Sequence, residues 1–119
     1  MQPEVQAVDL EAALARLEGD SGLLAEMASL FVDDCPRMLA AIREAITCRD
    51  AQALARATHR LKGSVSNFAA QATLNAALKV EMAAGRADFA GARVAYAALE
   101  QTLKHVAGAL ARLGKEITR

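Results

Sequence analysis

Residues 88–113 read DFAGARVAYAALEQTLKHVAGALARL. Phe89, Ala92, Tyr96, Leu99, Leu103, Val106, Leu110 and Leu113 recur there in alternating steps of three and four, the spacing of one face of an α-helix. Asp88 stands where an N-cap belongs. An unbroken stripe over so many turns predicts a long helix over 89–113 with one buried face, which needs other helices to cover it.

The rest of the chain supplies them. Among its 119 residues are 29 Ala and 15 Leu against seven Val and three Ile, so helix formers dominate and strand formers are scarce. Proline occurs at positions 3 and 36 alone, which leaves punctuation to Gly and Asp. Asp9 followed by Leu10, Leu14 and Leu17 predicts a short first helix over about 9–18, stopped by Gly19. Asp20 or Ser21 opens a second over 21–47, with the stripe Leu24, Met27, Phe31, Cys35, Met38, Ile42 and Ala45. Pro36 lies inside that stripe, which stays in phase on both sides of it. One helix kinked near 36 is the expectation, with two separate helices as the alternative. Asp50 caps a third over 51–68, facing inward through Leu54, Ala57, Leu61, Val65 and Phe68. After a turn near Asn67 to Ala70, a fourth over 71–84 carries Leu74, Leu78 and Met82 and is ended by Gly85. The fold class is therefore all-α: one domain over 1–119, an antiparallel up-down four-helix bundle with a short additional N-terminal helix.

Composition removes several function classes. Lys+Arg and Asp+Glu number 14 each and only four side chains are aromatic, so neither a polyanion surface nor base stacking is supported, and nucleic acid is not an expected partner. No apolar run of membrane-spanning length lacks charge, and the start Met-Gln-Pro-Glu-Val-Gln has no basic and apolar leader pattern. A cytoplasmic protein without membrane insertion is expected, its Cys35 and Cys48 reduced. Glycine-rich phosphate loops, G-x-S-x-G, His-Glu-x-x-His and C-x-x-C are all missing, so no metal site, nucleotide site or cofactor is expected. The neutral total hides an uneven distribution. Residues 1–50 hold 4 basic and 10 acidic side chains (net −6) and residues 51–119 hold 10 and 4 (net +6), read as complementarity between adjacent helices.

The chemistry concentrates on the third helix, which has no acid. At about 100° per residue, His59 lies roughly 150° from the centre of its apolar face, in water near mid-helix. Gly63 follows one turn later on nearly the same line, where glycine costs about 1 kcal/mol relative to Ala. In so Ala-rich a chain, removal of a methyl group there points to close approach of another surface, against a tolerated glycine or tight helix packing. Lys62 and Arg56 flank His59 at i+3 and i−3, with Ser66 and Gln52 extending the polar strip. A phosphoryl group on an exposed imidazole would bring negative charge that such cations stabilise. A water-exposed imidazole with the reference pKa of about 6.5 is largely neutral at pH 7 and nucleophilic without an added base. His105 lies beside the stripe of the last helix, next to Lys104 and Val106, without the glycine and cation arrangement of His59.

The stretch Ala57-Thr58-His59-Arg60-Leu61-Lys62-Gly63-Ser64-Val65-Ser66-Asn67-Phe68 resembles the signature of histidine-containing phosphotransfer (HPt) domains, His-x-Leu-Lys-Gly-Ser or Ala. Leu17-Glu18-Gly19-Asp20, Phe31 with the acids after it, Val80-Glu81 and Gly85-Arg86-Ala87-Asp88 extend the likeness over nearly the whole chain. The resemblance implies that His59 is the phosphoacceptor, Lys62 the cation near the phosphoryl group and Gly63 the clearance for a docking partner; by their places on the same strip, Arg56 is a second phosphoryl-stabilising candidate and Ser66 a second clearance candidate. It further implies response-regulator receiver domains as partners, among them those of hybrid sensor kinases. These receivers are expected to bring the Mg²⁺, and with no nucleotide site of its own the chain is expected to be a monomeric relay intermediate without autokinase activity. The family often has Gly after the residue that closes the motif; here Ala69 stands there, from which a changed turn is expected. A helical scaffold that binds partners without phosphorylation, and a bundle using His59 or His105 as an axial cofactor ligand, are the competing readings. Either a free-standing protein or a domain of a hybrid kinase is compatible with the chain.

Overall fold

The computed structural model describes residues 8–68 and 70–117, with side chains described as far as Leu113. Residues 1–7, on which the leader expectation falls and which include Pro3, and Ala69 of the motif lie outside the described residues. Five helices follow one another: α1 (Leu10–Arg16), α2 (Ser21–Thr47), α3 (Ala51–Ser66), α4 (Gln71–Gly85) and α5 (Phe89–Ile117). No strand occurs among the described residues.

Aspartates start four of the helices. Asp9, Asp20 and Asp50 accept from the backbone N–H groups of Ala12, Leu23 and Ala53 at 3.1, 2.9 and 3.0 Å, and Asp88 accepts from Gly91 at 2.9 Å. Each bond satisfies a donor that the first turn otherwise leaves without a partner. α4 starts at Ala70 with no side-chain cap. That helix ends at Gly85 as the sequence implies, Gly85 being its last helical residue, and the reversal falls on Ala87 at φ 53°. The Asp88 N–H reaches back to the Ala83 carbonyl at 2.9 Å, and this terminal bonding offsets the strain of a left-handed alanine. α2 runs through Pro36 as one helix, so the two-helix alternative falls.

Around the bundle α2 packs on α3, α3 on α4, α4 on α5, and α5 back on α2, closing a ring of four around the core. The stripe that predicted α5 is buried from Phe89 to Leu110. Elsewhere the inward faces differ from the sequence reading on α4, α3 and α1. On α4 the large residues point outward, with Leu78 45% and Met82 49% exposed, while Ala76, Ala77, Val80, Ala83 and Ala84 face the core. Small side chains let α4 lie close to both of its neighbours, and a stripe of leucines and methionine would hold them apart. On α3 the buried set is Leu54, Thr58, Leu61 and Val65, and Ala57 is half-buried. Thr58 is tolerated in the core because its hydroxyl donates to the Leu54 carbonyl at 2.7 Å.

α1 is shorter than the sequence implied and buries Ala13 rather than its leucines, Leu10 being 43% exposed. It is tied to the far end of α3: Arg16 Nη1 donates to the Ser66 carbonyl, and the Asp9 N–H to the Phe68 carbonyl at 3.3 Å. Phe68 also meets Phe31 of α2 edge to face, with ring centroids 5.3 Å apart. The C-terminal end of α3 is thereby held by both α1 and α2.

Candidate functional site

With Leu54, Thr58, Leu61 and Val65 turned inward, the opposite side of α3 forms a crest between α2 and α4. His59 stands on it with 78% of its side chain in water. One turn on, at Gly63, an added Cβ would meet nothing within 4 Å. Tight helix packing therefore does not explain this glycine, and the helix gives up about 1 kcal/mol at a position no internal neighbour crowds. Arg56 and Arg60 are exposed on the α2 side of the crest.

Lys62 turns the other way, toward α4. Its Nζ donates to Glu81 Oε1 at 2.6 Å, and Oε2 of the same carboxylate lies 3.4 Å from His59 Nδ1. One acid from α4 thus serves both residues of α3. The Lys62 hydrogen bond holds the Glu81 carboxyl below its ordinary value of 4.5; partial burial opposes this, and His59 adds a smaller push in the same downward direction. Glu81 is therefore an acceptor at neutral pH. A hydrogen on Nδ1 suits the Glu81 contact, and this tautomer leaves the lone pair on Nε2 for solvent or an incoming group. The Lys62–Glu81 ion pair between α3 and α4 thus lies wholly within the basic second half of the chain. The expected complementarity between the two halves does not account for it.

Of the sequence-derived candidates, His59, Lys62 and Gly63 come together directly. Arg56 lies along the same crest, one turn before His59. Ser66 is half-buried and occupied: its hydroxyl donates to the Gly63 carbonyl at 2.8 Å, while its own carbonyl takes the Arg16 bond. Glu81 had no role in the sequence reading, because 19 residues separate it from Lys62 and no helical spacing relates them. Two signals were present: Val80-Glu81 belongs to the likeness noted above, and Glu81 is the sole acid between Ala51 and Ala87. On the other flank of the crest, a groove of about 410 Å³ runs between α2 and α3, lined by Asp34, Arg37 and Met38 on one side and Ala57, Arg60 and Ser64 on the other. No cluster of His, Cys, Asp and Glu able to hold a metal ion occurs among the described residues, and no helix there is long and apolar enough to cross a membrane. Cys35 is buried and Cys48 exposed, both as free thiols.

The site is thus an exposed imidazole on a helical bundle with a carboxylate from the next helix at its Nδ1. The family model described as Hpt domain matches residues 26–113, and the chain belongs to that family. Its members work in histidine phosphotransfer within two-component systems. α1 lies outside the matched span. No curated protein and no solved structure matches the chain.

Proposed function

We propose that this chain is a phosphorelay intermediate, in which His59 accepts a phosphoryl group from a receiver-domain aspartate and passes it to another receiver aspartate. The carrying observation is the exposed His59 beside the unfilled space at Gly63, which supports direct approach of a partner's phosphorylated side chain. Nε2 attacks phosphorus in line; the N–P bond forms as the aspartyl O–P bond breaks, and that electron pair returns to the carboxylate. Lys62, one turn from His59 and sharing Glu81 with it, supplies positive charge for the incoming phosphoryl oxygens, and Arg56 adds more along the crest.

The partner docks across α3 and α2. Leu30, 65% exposed, lies with Met27 and Met38 beside Ser64 and Asn67, an apolar shelf rimmed by Asp34 and Arg60. Such a patch suits a transient interface of moderate area. The Mg²⁺ of the reaction belongs to the receiver, and the chain acts as a monomeric cytoplasmic carrier without ATP-dependent autokinase activity. The three short connections from α2 to α5 support an antiparallel up-down arrangement of the four long helices.

Incubation with a phosphorylated receiver domain and Mg²⁺ tests the reading. Acid-labile, base-stable label on the wild-type chain that vanishes in His59→Gln is the expected result. An unlabelled wild type, or equal label on the variant, would overturn it.

A further inference from the structure

Glu81 stands on the side of the imidazole away from the nitrogen open to solvent, with Oε2 3.4 Å from Nδ1. When Nε2 attacks phosphorus, the proton on Nδ1 stays in place and the ring becomes a cation as the N–P bond forms. While that proton remains, breaking the N–P bond returns the electron pair to Nε2 and releases a neutral imidazole. Once it is lost the leaving group is an imidazolate, which is far poorer. The Nδ1 proton therefore separates a phosphohistidine ready to transfer from one that is stored.

The charged groups around the ring are few. Lys62, Arg56 and Arg60 on α3 all disfavour a further positive charge. From α2, the Asp34–Arg37 pair stands across the groove beyond Arg60, and from α1, Arg16 is taken by the Ser66 carbonyl. On α4, Glu81 is the acid that reaches Nδ1, and with 26% of its side chain exposed it is only partly screened by water. We propose that Glu81 is a positioning residue that retains the Nδ1 proton of phosphorylated His59 and so keeps the phosphoryl group transferable at neutral pH. This rests on His59 being the phosphoacceptor, and it gives Glu81 the task a buried carboxylate performs for an imidazole that gains charge during reaction.

The test uses the full chain carrying ¹⁵N-histidine, phosphorylated with phosphoramidate, whose own P–N bond breaks to release ammonia. The Nδ1 shift of phospho-His59 is followed against pH, alongside transfer to a receiver domain at pH 8. Loss of one opposite charge at this distance should lower the midpoint of ring deprotonation by about one pH unit in Glu81→Gln. Above the midpoint the protonated fraction, and with it the transfer rate, should fall roughly tenfold. Glu81→Asp should recover part of both, and Lys62→Ala/Glu81→Gln should keep the lowered midpoint relative to Lys62→Ala. If wild type and Glu81→Gln are both labelled on His59 but share one midpoint, the assignment to Glu81 is wrong while the carrier reading stands. A rate that falls at an unchanged midpoint overturns the assignment in the same way. A wild type that takes no label at His59 removes both.

Discussion

His59 and His105 sit mid-helix in the same bundle, each near a lysine and each within one turn of a glycine, Gly63 at i+4 and Gly108 at i+3. An added Cβ would meet nothing within 4 Å at either glycine. The two sites nonetheless differ. His105 is half-buried between Leu103 and Val106, both fully buried, and it makes no ion pair among the described residues. His59 stands clear of the core, and a carboxylate from another helix reaches the back of its ring. Open space beside a histidine is thus shared by both; the crossing acid and the exposed front edge distinguish one. A site on a bundle is made between helices even when its signature lies along one.

Replacement of each histidine separates the two most sharply. His59→Gln should abolish phosphoryl labelling, whereas His105→Gln should leave its rate within about twofold and stability within roughly 0.5 kcal/mol. Around His105 the cost of change should be structural: Leu103→Ala, which empties a fully buried position, should destabilise by about 2–5 kcal/mol in denaturant melts without preventing labelling of the folded fraction. Around His59 the reverse should hold. Gly63→Leu should slow transfer from a receiver by at least roughly tenfold, about 1.4 kcal/mol in the barrier, through steric exclusion of the partner. Gly63→Ala should raise stability by about 0.5–1 kcal/mol, seen as a melting point higher by roughly 2–5 °C, while transfer slows. A gain in both stability and rate would show that the open space serves no partner.

The smallest effect is in acid. The Glu81 carboxyl titrates below its ordinary value in the folded chain, chiefly because of Lys62, so the folded state holds its proton less tightly than the unfolded one. The stability this contributes is complete above about pH 4.5 and is lost as pH falls through the lower folded value. Urea melts between pH 3 and 6 should show that acid-side loss diminished in Glu81→Gln. An unchanged profile would detach Lys62 from Glu81 in solution.

Much of the molecule is legible in residue order. The aspartate caps, the α5 stripe, the exposed place of His59 and the cost of Gly63 are all local, set by helical spacing and intrinsic backbone preference. The inward face of α4 is not, because its large apolar residues do not mark the core. In a bundle this rich in alanine, the closest helix contacts are made by the smallest side chains, and Leu78 and Met82 are left outside. On α3 a similar bias favours Ala57 over Thr58, since a hydroxyl satisfied by its own helix has no apolar signature.

By itself the sequence determined an all-helical chain and the line on α3 along which an imidazole and a missing methyl group face water, because both follow from about 100° of rotation per residue. Only the tertiary structure decided what stands behind that imidazole. The packing of α4 against α3 brings Glu81 within 2.6 Å of Lys62 and 3.4 Å of His59, a proximity set by how two helices are offset and turned. Coulombic and hydrogen-bond energies depend on such distances and not on separation along the chain.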